Sequence, residues 1–142
     1  MTEPRKWALI LGVSSGFGAA TARQLAAVGW DILGVHLDRR STIADVEALE
    51  AELRDMGRSV RFFNGNAASD EFRQQTIASI VQLLAEEGGK IGVMMHSLAF
   101  GTLIDLVPNG DGKAVNRKQL EMTMDVMANS LVYWTQELVH AT

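Results

Sequence analysis

The feature that most constrains the fold of this chain is a regular alternation of short apolar runs with helical patterns. Residues 7–11 are all apolar and stop at Gly12, which is typical of a strand covered on both faces, as in a parallel sheet. Residues 31–38, 59–63 and 91–96 form three further strand patterns. The order βαβαβαβα predicts an α/β fold with a doubly wound parallel sheet and helices on both faces.

The helical patterns between the strands are bounded by glycines and by residues that cap helix ends. Thr42 and Asp45 have capping-box spacing, with aspartate in place of the usual glutamate. Asn116, with Gln119 three residues later, opens the last pattern. Four helices are predicted: residues 19–28 before Gly29, one between Thr42 and Gly57, one between Ser69 or Asp70 and Gly88, and a long one from Asn116 through Leu138.

Composition narrows the classes of function. The chain has 142 residues, 13 Lys and Arg against 17 Asp and Glu, a net charge of −4 and no cysteine. This charge balance predicts no nucleic-acid binding, and the missing cysteines exclude disulfides, zinc–thiolate sites and thiol catalysis. No run approaches the roughly 18 apolar residues of a membrane helix, and the apolar run after the polar residues 1–6 is too short for a signal peptide. We expect one cytoplasmic domain without membrane association.

No metal site is expected from the sequence. His36 and His140 are too isolated along the chain to suggest a ligand pair. The loop over residues 107–112 faintly suggests a calcium loop, but Val107 takes the first-ligand position and Lys118 the position of the bidentate glutamate.

A glycine-rich run, residues 12–18, joins the first predicted strand to the first helix. A diphosphate needs backbone N–H groups with nothing in front of them, and a helix start supplies those together with a favourable dipole. The spacing G-x-x-x-G-x-G differs from the commoner G-x-G-x-x-G and from a P-loop, because no Gly-Lys-Ser/Thr follows. The alternative is a tight turn without a ligand. The residues that would hold the diphosphate are Gly12, Ser14, Ser15, Gly16, Phe17 and Gly18.

On this spacing the chain resembles the short-chain dehydrogenase/reductase family, over essentially all of its 142 residues. The resemblance implies a Rossmann-type sheet in the order 3-2-1-4, incomplete at four of the family's seven strands. Asn66 and Ala67 stand where the family usually has an Asp-Val pair beside the adenine. Asn129 matches the helix asparagine that organises a proton-relay water. The residues that would support the nicotinamide ribose are Ser97, Leu98 and Ala99.

Residues 96–100, His-Ser-Leu-Ala-Phe, are similar to the equivalent run of the enoyl-acyl-carrier-protein reductases, a divergent branch of the family. The glycine loop is similar to the ordinary branch instead. The resemblance therefore implies an NAD(P)-dependent oxidoreductase that reduces either a carbonyl or an enoyl double bond, on an acyl thioester or a small ketone. His96 itself is interpreted as a hydrogen-bonded structural histidine.

The end of the second strand selects between NADP and NAD. An acidic side chain there accepts both ribose hydroxyls and repels a 2′-phosphate, whereas arginine favours the phosphate. Asp38 lies near the offset of an acidic ribose reader. Counted from Gly29 as in the family, however, His36 takes the acidic position. Arg39 and Arg40 are then free to contact a phosphate, which favours NADP, with NAD as the alternative. If no ligand binds here, residues 38–40 are a solvent-exposed polar turn.

The catalytic pair that the resemblance implies is absent from the chain. The family uses a tyrosine as general acid and a lysine that lowers the tyrosine pKa. The only tyrosine is Tyr133, and the family's two lysine spacings fall on Glu137 and His140. We expect Tyr133 to be a packing residue and residues 1–142 to be a single dinucleotide-binding domain, the amino-terminal portion of a longer reductase. This portion alone is expected to be inactive.

Two other functions stay open at this point. The absent Tyr/Lys pair also fits a non-catalytic dinucleotide sensor or regulatory module. A flavin-binding, flavodoxin-like domain is less favoured, because its first loop normally carries several hydroxyl residues and not three glycines.

Self-association as a homo-oligomer is expected for two reasons. The fourth strand would form an apolar sheet edge without a neighbour, and such an edge invites pairing. The apolar stripe of the last helix is interpreted as core or subunit interface; its members are Met124, Met127, Leu131 and Trp134.

Overall fold

The computed structural model describes residues 4–110 and 112–142 of the chain. Within them the four predicted strands form a parallel sheet in the order 3-2-1-4, which confirms the expected fold class and strand order. Residues 1–3 of the polar amino-terminal segment and Asp111 of the loop considered for calcium lie outside the described residues. The strands are β1 Lys6–Leu11, β2 Asp31–His36, β3 Val60–Asn64 and β4 Lys90–His96.

The helices begin close to the predicted caps. Ser69, not Asp70, caps the third helix, because its hydroxyl accepts the N–H of Phe72 at 3.3 Å. Both halves of the capping box between Asn116 and Gln119 are present. No helix in the described ranges combines the length and apolar character that a membrane span requires. The helices are α1 Gly16–Ala27, α2 Ile43–Asp55, α3 Asp70–Glu87, α4 Arg117–Met124 and α5 Ser130–Ala141.

The capping box predicted between Thr42 and Asp45 is wrong. Thr42 has near-helical backbone angles (φ −118°, ψ −8°) and no side-chain hydrogen bond to the start of α2. Its hydroxyl donates instead to the carbonyl of Arg39 at 3.3 Å. The Thr42 side chain therefore bonds within the preceding turn and not to the N–H groups at the start of α2.

Two further boundaries differ from the prediction. Helix α1 begins at Gly16 and not at residue 19, because the last residues of the glycine run already form the first helical turn. Strand β2 ends at His36, two residues early. The N–H of Asp38 donates to the Asn64 side chain at 3.1 Å, so the chain leaves the β2–β3 ladder at that point.

The long last helix contains an irregularity that no local pattern predicted. Helices α4 and α5 are joined without a break by a π-helical turn over Asp125–Asn129. Hydroxyl side chains bond back to carbonyls four residues earlier on both sides of it: Thr123 to Gln119 at 2.8 Å and Ser130 to Val126 at 2.7 Å. Such back-bonding competes with the regular ladder and favours a widened turn.

Strand β1 is the centre of the core. Its apolar residues are fully buried and alternate between two clusters, one on each face of the sheet. One cluster joins β1 to α3 and α5, and the other joins it to α1 and α2. Strand β4 pairs only with β1 among the described strands, and its residues are half-buried or exposed. This is the open apolar edge that the sequence predicted.

The register brings the carboxyl ends of the strands together. Leu11 of β1 pairs with Val35 of β2 and with His96 of β4, and His36 pairs with Asn64 of β3. The loops that follow the four strands therefore lie along one edge of the sheet, which is where ligands of open α/β sheets bind.

Candidate functional site

The glycine run after β1 is packed tightly at two of its three glycines. A Cβ on Gly12 would lie 2.1 Å from the carbonyl oxygen of Ser97, and a Cβ on Gly18 would lie 1.8 Å from that of Gly12. The N–H groups of Gly12 and Val13 both donate to the carbonyl of Val35, at 2.9 and 3.1 Å. These glycines allow the first turn to close against β2 and β4.

Gly16 has a different environment from its two neighbouring glycines. It has φ +53°, and apart from its chain neighbours and the backbone of its own helix no heavy atom lies within 4 Å of the position that its Cβ would take. The N-cap residue Ser15 makes no side-chain hydrogen bond to α1, and the first turn carries no acidic residue. The amides at the start of α1 therefore have no side-chain cap, and the space beside Gly16 is open, which is the arrangement that a diphosphate needs. The exposed ring of Phe17, at 84%, lies beside them.

A polar cluster forms at the carboxyl ends of β2 and β3. The imidazole Nδ1 of His36 lies 3.1 Å from Oδ2 of Asp38. The side chain of Asn64 accepts the N–H of Asp38 at 3.1 Å and donates to its carbonyl at 3.0 Å. Asn64 is a site residue that sequence reasoning missed, because only the β2–β3 register places its amide under the turn.

The carboxyl of Asp38 is held in its charged form. Burial would raise the pKa of Asp38, but the hydrogen-bonding groups of Thr42, Ser14 and His36 around it outweigh burial and lower the pKa. Ser14 belongs to the glycine loop, so this carboxylate stands between the first turn and the end of β2. A carboxylate at this place can accept hydrogen bonds from the hydroxyl groups of a ligand, and its charge repels a phosphate.

Arg39 and Arg40 follow in the turn, and both are exposed. The backbone carbonyl of Arg39 accepts the N–H groups of Thr42 and Ile43, each at 3.0 Å, which fixes the turn. The structure thus brings Asp38 into the cluster and leaves the two arginine side chains outside it.

The loop after β3 is shaped by Asn66 and anchored by a tryptophan. Oδ1 of Asn66 accepts the N–H of Ala68 at 3.0 Å, and its carbonyl accepts that of Ser69 at 2.9 Å. The buried carbonyl of Ala67 accepts the indole N–H of Trp134 at 2.8 Å. The sequence left open whether Trp134 lies in the core or at a subunit interface. Trp134 is fully buried within the chain, which confirms the core position. Its role in anchoring this loop was not visible in the helix pattern.

The segment after β4 lies directly against the glycine run. The N–H of Ser97 donates to the carbonyl of Leu11 at 2.8 Å, and the side chain of Leu98 comes within 3.4 Å of the position that a Cβ on Gly12 would take. Ser97 and Leu98 are half-buried and Ala99 is exposed. The structure therefore brings together the first and fourth loops, as the sequence predicted.

His96, the last residue of β4, is hydrogen-bonded to the last helix. Its Nε2 lies 2.7 Å from Oγ of Ser130. Oγ of Ser130 also lies 2.7 Å from the carbonyl oxygen of Val126, and its single proton can be donated to only one of these two neighbours. Burial lowers the pKa of His96, which favours the neutral imidazole. The interpretation of His96 as a hydrogen-bonded structural residue agrees with these contacts.

Asn129 ends the π-helical turn and is exposed. Its amide donates to Oδ1 of Asp125 at 3.4 Å, and both residues line an open cleft of about 540 Å³ formed by α4 and the π-helical turn. The hydroxyl of Tyr133 donates to the same oxygen at 3.2 Å. Burial and the charge of Asp125 raise the pKa of Tyr133. Tyr133 is therefore a neutral, hydrogen-bonded side chain near neutral pH.

The arrangement can bind an elongated anionic ligand along the edge formed by the four loops. This edge carries four features: the loop shaped by Asn66 after β3, the Asp38 carboxylate after β2, the uncapped amides at the start of α1, and the small-residue segment after β4. Among the residues that the structure describes, no group of three His, Cys, Asp or Glu side chains could hold a metal ion.

Comparisons with known proteins agree with this geometry. Residues 6–141 match the family described as short chain dehydrogenase. The chain is 34% identical over 98% of its length to an enoyl-[acyl-carrier-protein] reductase [NADH] of Burkholderia ambifaria, and covers 38% of that protein.

Crystal structures of a 3-oxoacyl-[acyl-carrier protein] reductase from Brucella melitensis are also similar. One has a TM-score of 0.77 at 26% identity and 97% coverage. Another, in complex with NAD, has a TM-score of 0.70 at 27% identity and 99% coverage. The chain covers 50% of each of these two structures.

Proposed function

Because the chain belongs to the short chain dehydrogenase family, we propose that it holds a nicotinamide dinucleotide across the carboxyl edge of its sheet, as the cofactor-binding part of an oxidoreductase. The observation that carries the proposal is the pair of tight glycines, Gly12 and Gly18, around the open amides at Gly16. The dinucleotide, when bound, supplies the hydride.

The residues that would hold the dinucleotide follow the order of the strands. The first turn holds the diphosphate through its amides, and the carboxylate of Asp38 accepts the hydroxyls of the adenosine ribose. Asn66 and Ala67 flank the adenine. The segment after β4, with Ser97, Leu98 and Ala99, supports the nicotinamide ribose, and Asn129 takes part in the water relay.

Titration of the protein with NADH, followed by nicotinamide fluorescence, tests the proposal directly. We expect saturable binding that NAD⁺ competes for and that inorganic phosphate at the same concentration does not. Absence of saturable binding by a folded chain would overturn the proposal.

Asp38 favours NAD over the NADP that Arg39 and Arg40 suggested. Its charged carboxylate faces both the first turn and the end of β2, and a fixed negative charge there repels a 2′-phosphate. The two arginine side chains are exposed and outside the cluster. The name of the related enoyl reductase also specifies NADH.

Asp38→Asn is expected to weaken NADH binding about tenfold, the order of one lost hydrogen bond to a charged group, and to strengthen NADPH binding relative to it. The two dissociation constants from fluorescence titration check this. Asp45→Asn is the matched control, because it removes one exposed carboxylate from the first turn of α2. An unchanged ratio of the two constants in Asp38→Asn would contradict the assignment of NAD.

The chain spans about two fifths to a half of the length of its relatives, so the substrate class is proposed from those relatives. We propose reduction of an acyl thioester, at an enoyl double bond or a 3-oxo group, on the named activities of those relatives and the residues at 96–100. The chain itself is expected to oxidise no NADH with an enoyl or 3-oxoacyl thioester. Turnover by these 142 residues would contradict the division of roles.

A non-catalytic sensor is the second candidate, favoured by the state of Tyr133. Its hydroxyl is bound to Asp125 and its pKa is raised, so it is not prepared to donate a proton to a substrate near neutral pH. Reading the encoding frame to its stop codon separates the candidates. A downstream Tyr-x-x-x-Lys pair, or its longer-spaced variant, supports the enzyme, and its absence supports the sensor.

A homo-oligomer is proposed on the exposed apolar face of the last helix. Met127, Leu131 and Val132 are 45%, 43% and 50% exposed there, while Trp134 and Leu138 are buried in the core.

Leu131→Glu is therefore expected to lower the association constant at least about tenfold with little change in unfolding midpoint. Sedimentation equilibrium measures the association. Gln136→Glu is the control, because it adds the same charge to α5 without removing an apolar side chain. Equal association of the two variants would place the interface elsewhere.

The cytoplasmic location stays a prediction from the sequence.

A further inference from the structure

His36 is a buried titratable side chain that the proposed dinucleotide contacts do not use. It is the last residue of β2 and only 5% exposed. Its ring meets Phe62 edge-on, with centroids 6.1 Å apart and an interplanar angle of 62°. Burying a polar side chain costs free energy unless it is hydrogen-bonded, so an apolar side chain would be the simpler choice at this position.

The hydrogen bond of His36 has one possible direction. An ionised carboxylate only accepts, and the pKa of Asp38 is lowered. Nδ1 of His36, 3.1 Å from Oδ2 of Asp38, therefore carries the proton and donates. The two side chains are 4% and 14% exposed, so little water competes for this bond.

The backbone of Asp38 is fixed independently of its side chain. The amide of Asn64 bonds both the N–H and the carbonyl of Asp38, at 3.1 and 3.0 Å. With the backbone held from β3 and Oδ2 held from β2, the carboxylate has little rotational freedom left. Oδ2 is engaged by His36, and Thr42 and Ser14 also hydrogen-bond the carboxylate. The lone pairs that these three groups leave are available to the hydroxyls of a ligand.

We propose that His36 is a positioning residue for dinucleotide selectivity: its Nδ1–H fixes the Asp38 carboxylate in the orientation that accepts ribose hydroxyls and opposes a 2′-phosphate. The inference rests on the proposed function. Without His36 the carboxylate keeps only Thr42 and Ser14 as side-chain partners, loses part of its orientation toward the ribose and turns part of its charge to solvent. Preorganisation of this kind raises affinity by removing the entropy of ordering a side chain on binding.

The test measures the ratio of the NADH and NADPH dissociation constants in the whole chain by fluorescence titration. His36→Phe keeps a ring against Phe62 and removes the donor. His36→Asn keeps an N–H near the position of Nδ1, whereas His36→Gln carries its N–H near the position of Nε2. We expect His36→Phe and His36→Gln to shift the ratio at least about fivefold toward NADPH, and His36→Asn to remain within about twofold of the unsubstituted protein.

A double-substitution cycle separates positioning from a structural role. In the Asp38→Asn background, His36→Phe is expected to leave the ratio unchanged, because its effect passes through the carboxylate. Equal weakening of both dinucleotides by His36→Phe, or the same shift with and without Asp38, overturns the inference. If His36→Phe fails to fold by circular dichroism, the comparison of His36→Asn with His36→Gln decides. Binding of neither dinucleotide by the unsubstituted chain overturns the proposed function itself.

Discussion

Gly18→Ala is expected to abolish dinucleotide binding and to destabilise the fold by about 3 kcal/mol or more. The added Cβ would lie 1.8 Å from the carbonyl oxygen of Gly12 and 2.8 Å from its carbonyl carbon. These are backbone atoms that the N–H bonds of Gly12 and Val13 tie to β2, so the clash cannot be relieved by a side-chain rotation. The free energy of unfolding from urea denaturation and the NADH dissociation constant measure the two effects.

Gly16→Ala separates the binding role from the folding role at the same loop. No atom from elsewhere in the chain lies within 4 Å of its Cβ position, and its φ of +53° costs an alanine about 1–2 kcal/mol. The fold should survive, while NADH binding weakens at least about tenfold because a methyl group then covers the open amides. Gly57→Ala is the matched control, with φ +77° and equally open surroundings after α2. It is expected to lose similar stability and no affinity.

Two results would contradict this account of the first turn. One is a Gly18→Ala protein with unchanged stability, which would mean that the loop does not close as described. The other is equal NADH affinity in Gly16→Ala and Gly57→Ala, which would mean that the open amides hold no phosphate and that the proposed function has lost its main support.

Trp134→Ala is expected to cost about 3–5 kcal/mol of stability, as is usual when a fully buried aromatic side chain is removed. That is a large part of the total stability of about 5–15 kcal/mol that small domains have. The cavity would open between α5 and the loop after β3, and the buried carbonyl of Ala67 would lose the indole N–H that it accepts at 2.8 Å. Urea denaturation is expected to show a variant that is unfolded or nearly so at 37 °C.

Trp134→Phe and Trp7→Phe form a pair that tests the anchoring of that loop. Both tryptophans are fully buried, and each donates one hydrogen bond to a backbone carbonyl: Trp134 to Ala67, and Trp7 to Gly88 at 3.1 Å. Only the bond of Trp134 reaches the edge that holds the candidate site. Trp134→Phe is therefore expected to weaken NADH binding about threefold or more, and Trp7→Phe to leave it unchanged. Equal affinities in the two variants would remove Trp134 from any role in the site.

Much of the site was predictable because its signals are local. The glycine run follows a fully apolar strand and opens a helix, and both the tight packing of Gly12 and Gly18 and the open space at Gly16 occur where that pattern predicts a phosphate loop. The distance of Asp38 from Gly18 along the chain predicts an acidic ribose reader, and this assignment stays a prediction. The choice among His36, Asp38 and Arg39 was not predictable, because all three lie within four residues of one another.

The sequence by itself determined the order of strands and helices and the place of the loops, because apolar periodicity and glycine punctuation act within a few residues. Tertiary structure alone decided which side chains of those loops meet. The β2–β3 register brings Asn64 under Asp38, and the packing of α5 brings Trp134 to Ala67 from 67 residues away. Such contacts depend on the positions of whole elements in space, because the two partners carry no shared pattern along the chain.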